Sequence, residues 1–186
     1  MGFPDESDAS SVRAICARPG GGRVITMGFP GLDTDPRGRA WLNPERLEAT
    51  LDVAVTAGLR LLLILAQADE LPEGAVAYVR EASRARRVRA LALPIQDYSV
   101  PGASFLRAWR RLAPLRQRIF ADGQAVGVCC HHGAGRSGVV AAMHLIEAGV
   151  EPAAAVSALR AQFAETVENK LQYQWLERYP ELLASA

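Results

Sequence analysis

This sequence has no long hydrophobic run, no excess of one charge and no cysteine framework. Its three cysteines, two of them adjacent, do not form a disulfide pattern. No apolar run approaches the roughly 18 residues of a membrane span, and the acidic, polar residues 1–11 are unlike a signal peptide. With 21 basic and 20 acidic residues, the formal net charge is +1, which argues against a general nucleic-acid binder. We therefore expect a cytoplasmic protein that binds neither membranes nor nucleic acids.

The residues that are present indicate an ordinary globular chain. Hydrophobic residues make up 49% and charged residues 22% of its 186 residues, which is close to the average for a folded domain. A chain of this length usually forms one domain and is stable without disulfides or a structural metal. We expect a flexible N-terminal tail over residues 1–11, a single domain over residues 12–186, and a monomer.

Strands and helices alternate along the predicted domain. Short apolar runs predict strands at residues 12–16, 23–27, 61–65, 88–95 and 125–129. Amphipathic or capped stretches predict helices at residues 43–58, 73–86, 105–122, 137–148, 152–162 and 168–183, whereas the Gly- and Pro-rich residues 28–41 predict a loop. This order predicts an α/β fold with a mostly parallel central sheet flanked by helices.

The last predicted strand is joined to a helix by the segment Cys130-His131-His132-Gly133-Ala134-Gly135-Arg136-Ser137-Gly138. A glycine-containing turn that opens a helix points backbone N–H groups inward at the positive end of the helix dipole, so residues 131–136 predict a phosphate-binding loop. The same field favours the thiolate of Cys130. The Arg136 guanidinium suits bidentate contact with phosphate oxygens, and the Ser137 hydroxyl can donate to the sulfur. Together these residues predict a nucleophilic phosphatase.

A phosphatase also needs an acid that protonates the departing oxygen. Asp97 ends a predicted parallel strand, at the sheet edge where the loop after Cys129 must also lie. A loop-capping role is the alternative for Asp97, because aspartate is common in turns before proline. The position at the sheet edge favours Asp97 as the catalytic acid.

On these residues, the sequence resembles the cysteine-dependent protein tyrosine phosphatase superfamily, whose signature is Cys-x5-Arg followed by Ser or Thr. It is most similar to the dual-specificity branch, in particular to the kinase-associated phosphatase (cyclin-dependent kinase inhibitor 3) family. The resemblance covers roughly residues 25–180, and its matching stretches are Gly58-Leu59-Arg60, Glu70-Leu71, Pro94 to Asp97 with Pro101, Cys130 to Ser137, and Gln172-Tyr173 before Trp175-Leu176. It implies the cysteine-phosphatase fold, with the phosphate-binding loop between a strand and a helix.

The resemblance further implies a two-step hydrolase that uses no metal and no cofactor. Cys130 would attack phosphorus while Arg136 and the loop amides hold the oxygens, and Asp97 would protonate the leaving oxygen. Gln172, or Glu168 one helical turn earlier, would orient the water that hydrolyses the phosphocysteine; family members often carry glutamine at both positions. The implied substrates are phosphotyrosine, and also phosphoserine or phosphothreonine, in a phosphoprotein, or a small phosphate ester.

Cys129 departs from the family pattern, in which a histidine usually precedes the nucleophile and helps to hold the loop. We therefore expect lower activity, and the alternative function is a pseudophosphatase-like module that binds phosphorylated residues. A transient disulfide between Cys129 and Cys130 is an open hypothesis, although adjacent cysteines close a strained ring. Zinc is not expected, because four consecutive side chains from Cys129 to His132 cannot converge tetrahedrally on one ion.

The remaining basic residues are interpreted as surface features. His131 and His132 are assigned no chemical step, and the absence of lysine from the loop favours a phosphoprotein or small ester over a lipid headgroup. Two arginine-rich stretches, residues 80–89 and 107–118, are interpreted as solvated helix faces, with a docking surface for acidic substrates as the alternative.

Overall fold

The computed structural model describes residues 9–185. The predicted flexible tail therefore lies outside the described residues as far as residue 8. At its end, Ser11 is buried, and its backbone N–H donates to Thr50 Oγ1 at 2.9 Å. Within the described residues, no helix is long and apolar enough to cross a membrane.

Strands and helices alternate through most of the described chain. The strands are β1 (Val12–Ala17), β2 (Arg23–Gly28), β3 (Leu32–Thr34), β4 (Ala40–Leu42), β5 (Leu59–Ile64), β6 (Arg89–Ala92) and β7 (Ala125–Cys130). The α-helices are α1 (Pro44–Thr56), α2 (Ala75–Ala85), α3 (Ala103–Arg111), α4 (Ala113–Ala121), α5 (Gly135–Ile146), α6 (Pro152–Arg160) and α7 (Lys170–Ala184). A short 3-10 turn, Ala68–Glu70, follows β5.

Five strands form the central sheet in the order β1-β2-β7-β5-β6. Strand β1 is antiparallel to β2, and the other neighbouring pairs are parallel. The predicted α/β class with a mostly parallel, helix-flanked sheet is thereby confirmed. Because β6 and β7 are parallel to β5, both end at the same sheet edge, and the residues that follow them meet there.

The sheet is covered on both faces, which explains its continuous apolar strands. On β5, Leu61 and Leu63 belong to one core cluster, while Leu62 and Ile64 belong to the other. Helices α1 and α2 cover the second cluster, and α3 to α7 cover the first. Cys129 packs in the second cluster and Cys130 in the first, because successive side chains of a strand point to opposite faces.

Three predicted segments differ from the observed ones. Strands β3 and β4 form a small hairpin inside the predicted 28–41 loop. The single helix predicted over residues 105–122 is two helices, α3 and α4, since Pro114 lacks an N–H and its ring clashes with the preceding helical turn. Strand β6, predicted to be buried, is an edge strand whose two end residues, Arg89 and Ala92, are exposed.

Candidate active site

The loop between β7 and α5 wraps around the sulfur of Cys130. The backbone N–H of Gly133 donates to Cys130 Sγ at 3.2 Å. The carbonyls of His131 and His132 accept hydrogen bonds from outside the loop, from Phe29 N–H at 3.3 Å and Arg13 Nε at 3.1 Å. With these carbonyls held outward, the loop amides are free to face the sulfur and a bound anion.

Gly133 is required by the shape of this loop. Its φ of 90° lies in the left-handed region, where residues with a Cβ are strained. A Cβ added at Gly133 would also lie 2.4 Å from the backbone nitrogen of Gly28 on β2. The close approach of the loop to β2 therefore depends on the missing side chain.

Arg136 is buried at the floor of the site, with 2% of its side chain exposed. Its Nη1 donates to Glu70 Oε2 at 2.7 Å and to the Ile95 carbonyl at 3.0 Å, and its Nη2 donates to Glu70 Oε1 at 2.7 Å. Asp97 Oδ1 lies 2.9 Å from Nη2. The Nε atom has no hydrogen-bond partner among the described residues. A phosphate oxygen that displaces Asp97 can therefore use the Nε and Nη2 side of the guanidinium.

Glu70 fixes the orientation of this guanidinium. Both of its carboxylate oxygens accept from Arg136, and Oε2 also accepts from the backbone N–H of Gln67 at 2.6 Å. Burial alone would raise the pKa of Glu70, but the hydrogen bonds from Arg136 and Gln67 hold it below its ordinary value. Burial would likewise lower the pKa of Arg136, yet the Glu70 contacts and the charges of Cys130 and Asp97 raise it. The pair therefore stays charged.

An open cleft of about 410 Å³ lies above the loop. Its lining residues are Glu70, Asp97, Tyr98, Cys130, His131, His132, Gly135, Arg136 and Glu168. The topology thus brings the candidate nucleophile, arginine and acid together in one cleft. Asp97 is half-exposed and also accepts from the backbone N–H of Tyr98 at 3.0 Å.

Gln172 holds the loop that carries Asp97 rather than standing free in the cleft. Its Nε2 donates to the Ser99 carbonyl at 3.2 Å, and its Oε1 accepts from the Glu168 backbone N–H at 3.1 Å. The side chain is fully buried. Asn169, the N-cap of α7, donates to the Tyr98 carbonyl at 3.0 Å. Two side chains at the start of α7 therefore anchor the loop that carries Asp97, the candidate acid; we call this segment the acid loop.

Glu168 lies against the first residue of α5. A Cβ added at Gly135 would lie 1.9 Å from Glu168 Oε1, so the carboxylate occupies the space that this glycine leaves open. Glu168 is exposed overall, but partial desolvation of its carboxyl group raises its pKa. The negative charge of Asp97 raises the pKa further, although Arg136 and His132 act in the opposite direction. Of the two predicted water-positioning residues, Glu168 is the one that lines the cleft.

The raised pKa of Glu168 predicts a pH-dependent stability. The carboxyl group of Glu168 holds its proton more tightly in the folded chain than in the unfolded chain. Its contribution to the free energy of unfolding is therefore fully present below the ordinary pKa of 4.5 and is lost as the pH rises through the pKa of the folded state. Glu168→Gln removes this loss. We expect the variant to be more stable than wild type at pH 7, by less than about 1 kcal/mol at this exposed position, and the difference to vanish below about pH 4. Urea unfolding at both pH values measures this, and a constant difference would contradict it.

Three other residues of the predicted site have defined surroundings. Ser137 is buried, and its hydroxyl donates to the Met27 carbonyl at 3.4 Å. His132 Nε2 lies 2.8 Å from Glu165 Oε2 on the surface. Cys129 is fully buried on the opposite face of the sheet from Cys130, and burial together with the charge of Cys130 raises its pKa well above the ordinary value. Cys129 is therefore a neutral core thiol.

The sequence analysis gave no role to Glu70, Asn169 or Glu165. In the structure these residues contact Arg136, the Tyr98 carbonyl and His132, respectively. A local signal existed for Glu70, because Gln67 and Glu70 have the spacing of a capping box. Asn169 also carried a signal, as an N-cap residue ahead of an apolar periodic stretch. Their long-range contacts, to Arg136 and to the Tyr98 carbonyl, depend on the tertiary fold.

The fold agrees with the phosphatase family whose model matches this chain. A family model described as "Swiss Army Knife protein, DSP-PTPase phosphatase domain" matches residues 36–180. The chain belongs to this family of phosphatase domains. None of the curated proteins matches the sequence.

Solved structures confirm the fold. Kinase associated phosphatase with its catalytic cysteine changed to serine superimposes with a TM-score of 0.70 at 18% identity, covering 88% of this chain and 89% of its own. Tk-PTP in its active form gives 0.63 at 24% identity, with 92% and 97% covered. A putative protein tyrosine phosphatase from Leishmania major gives 0.64 at 19% identity, with 91% and 97% covered. At these identities the likeness concerns the fold alone.

Proposed function

We propose that this protein hydrolyses phosphomonoesters, phosphotyrosine first and phosphoserine or phosphothreonine with it, through a phosphocysteine on Cys130. The observation that carries the proposal is the joint placement of Cys130, Arg136 and Asp97 in one cleft. The substrate is a phosphoprotein or a small phosphate ester, handled by a monomeric, cytoplasmic enzyme without metal or cofactor. Membership of the kinase-associated phosphatase branch is proposed with it.

In the first step, substrate phosphate takes the position of Asp97 beside Arg136. Its oxygens accept from the Nε and Nη2 groups of Arg136 and from the loop amides, while Glu70 keeps the guanidinium in place. The Cys130 thiolate forms the sulfur–phosphorus bond as the phosphorus–oxygen bond to the leaving group breaks. Asp97, displaced from Arg136, takes up a proton from solvent as the substrate binds and gives this proton to the departing oxygen.

In the second step, water attacks the phosphocysteine and the sulfur–phosphorus bond breaks. The Asp97 carboxylate accepts the proton of that water, so the free thiolate and inorganic phosphate are the products. Glu168 lines the cleft and is the group proposed to orient the water. Gln172 contributes indirectly, by holding the Ser99 carbonyl and with it the acid loop.

A phospho-residue binding module without efficient turnover is the second candidate function. Cys129, in the position of the family histidine, favours it, because a buried apolar thiol supplies less support to the loop than a histidine. Asp97 favours the enzyme instead, since binding alone does not need an acid. The two functions predict different results with the same substrates.

The test compares two aryl phosphates in the presence of EDTA. Para-nitrophenolate leaves readily without a proton, whereas phenolate needs one, so the acid matters more for phenyl phosphate. We expect metal-independent turnover of both, and Asp97→Asn to slow phenyl phosphate by about 10²–10⁴-fold but para-nitrophenyl phosphate considerably less. Steady-state kinetics at pH 6 measures the two ratios.

Asp122→Asn is the matched control, because Asp122 is an exposed aspartate at the end of α4, away from the cleft. It should leave both substrates unaffected. Equal losses for the two substrates in Asp97→Asn would remove Asp97 as the acid. The wild type could instead bind inorganic phosphate in a calorimetric titration and turn over neither substrate. This result would support the phospho-residue binding module and contradict the phosphatase.

A further inference from the structure

Three carboxylates at or beside the mouth of the cleft form what we call the acidic rim. Asp97 and Glu168 line the cleft, and Glu165 pairs with the cleft-lining His132. Asp97 has 46% and Glu165 64% of its side chain exposed, and Glu168 is also exposed. Asp97 belongs to the loop after β6, while the other two belong to the segment between α6 and α7. The carboxylates therefore stand on two different loops beside one opening.

Permanent positive charge is scarce at this opening. Within residues 9–185, Arg136 is the single arginine or lysine that lines the cleft, and it is buried and paired with Glu70. His132 is paired with Glu165 across 2.8 Å. Arg13 binds the His132 carbonyl and covers the Phe163 ring, and it is close enough to Glu165 and Cys130 to interact with their charges. Glu70 and the three rim carboxylates therefore outnumber the two arginines, Arg13 and Arg136, so negative charge is in excess at the mouth, although the floor is suited to an anion.

The carboxylates of the rim interact with each other. After burial, the charge of Asp97 is the next cause that raises the pKa of Glu168, and Glu165 acts in the same direction. A cation placed between these groups would relieve this repulsion. Another anion would increase it.

Tyr98 adds an aromatic surface next to the rim. Its side chain is 65% exposed and lines the cleft. Its φ of 54° is in the left-handed region, which is uncommon for a residue other than glycine, and Asn169 holds its carbonyl. An exposed tyrosine ring beside carboxylates suits an ammonium or guanidinium group, because the ring face attracts cations.

From these observations we propose that the acidic rim and Tyr98 select phosphopeptides with arginine or lysine beside the phosphorylated residue. The phosphate would enter the cradle, and the flanking cation would lie against Glu165 and Glu168, since Asp97 holds the proton for the leaving group at that stage. A peptide suits the arrangement because carboxylates on two loops can meet side chains before and after the phosphorylated residue. This inference rests on the proposed phosphatase function and specifies its substrate class.

The experiment uses two phosphotyrosine peptides that differ only in two flanking residues, both Arg in one and both Glu in the other. At low ionic strength we expect kcat/KM to favour the Arg peptide by about tenfold, and this ratio to shrink toward one at about 0.5 M salt. Equal or reversed kcat/KM values at low salt would overturn the inference. Para-nitrophenyl phosphate, which carries no flanking charge, reports the phosphatase activity separately.

Variants then connect the preference to the rim. Glu165→Lys and Glu168→Gln should each lower the Arg-to-Glu peptide ratio about two- to fivefold, with every rate normalised to the same variant's turnover of para-nitrophenyl phosphate. Glu151→Lys is the matched control: Glu151 is exposed and precedes α6, beyond the opposite end of α5 from Cys130, and its peptide ratio should equal that of wild type. An unchanged ratio in both rim variants would overturn the proposal.

Binding measurements separate this inference from the proposed function. Cys130→Ser retains the cleft but lacks the nucleophile, so its dissociation constants for the two phosphopeptides are measurable by calorimetry whether or not the wild type turns over. Tighter binding of the Arg peptide supports the acidic rim. Equal binding overturns the rim inference, whereas a wild type inert toward para-nitrophenyl phosphate overturns only the proposed catalysis.

Discussion

Cys130→Ser should eliminate turnover, with kcat/KM for para-nitrophenyl phosphate falling on the order of 10⁴-fold or more. The Gly133 N–H points at the atom in this position, and the helix dipole of α5 favours a negative charge there. A serine hydroxyl in the same cradle remains protonated and is a far weaker nucleophile than a thiolate. Steady-state kinetics on purified protein measures the loss.

The adjacent cysteine provides the matched control. Cys129 packs in the core on the opposite face of the sheet and is fully buried. Cys129→Ser places a hydroxyl in that core and should lower the unfolding free energy by about 1–3 kcal/mol, while turnover stays within about tenfold of wild type, since Cys129 does not face the cleft. Comparable losses of turnover in both variants would show that Cys130 is not the nucleophile.

Arg136→Lys should reduce kcat/KM on the order of 10³-fold, although it preserves the positive charge. A lysine ammonium cannot donate to both oxygens of Glu70 and also offer two parallel N–H groups to phosphate. We expect kcat to fall more than KM rises, because the lost contacts grow stronger as charge develops on the phosphoryl oxygens. Initial-rate kinetics over a range of para-nitrophenyl phosphate concentrations separates the two constants.

Arg86→Lys is the control for the effect of replacing a paired arginine by lysine away from the cleft. Arg86 contacts two carboxylates, Glu48 and Asp52, on the face of the sheet covered by α1 and α2. Its replacement should leave kcat/KM unchanged. An Arg136→Lys variant that matched Arg86→Lys in activity would exclude Arg136 from phosphate binding.

Local sequence patterns were sufficient to predict the strands of the central sheet. The apolar run Leu61 to Leu65 and the run Ala125 to Cys129 are strands because both faces of the sheet are covered, and such strands need no polar alternation. The β3–β4 hairpin was missed because its strands have three residues each, too few to show a period. The division between α3 and α4 follows from Pro114, whose effect outweighs the continuous apolar stripe around it.

The candidate site was predictable only in part. Cys130 and Arg136 stand in one contiguous segment, and the rule that parallel strands end at a common edge was enough to associate Asp97 with them. Glu70 is 66 residues from its partner Arg136, and no periodicity relates two residues so far apart. Gln172, predicted with Glu168 as one of two candidates for orienting the water, binds the Ser99 carbonyl, because a buried amide must satisfy its own donors and acceptors; a role at the water stays a prediction for both residues.

The anchoring of the acid loop by Asn169 and Gln172 has a consequence for the proposed reaction. Two carbonyls of the loop are held by side chains at the start of α7, and Asp97 lies beside Arg136. Many enzymes must close a flexible lid on the microsecond-to-millisecond timescale before reaction. On the proposed mechanism, a loop anchored in this way needs no separate closing motion, because the substrate phosphate has only to displace the Asp97 carboxylate from Arg136.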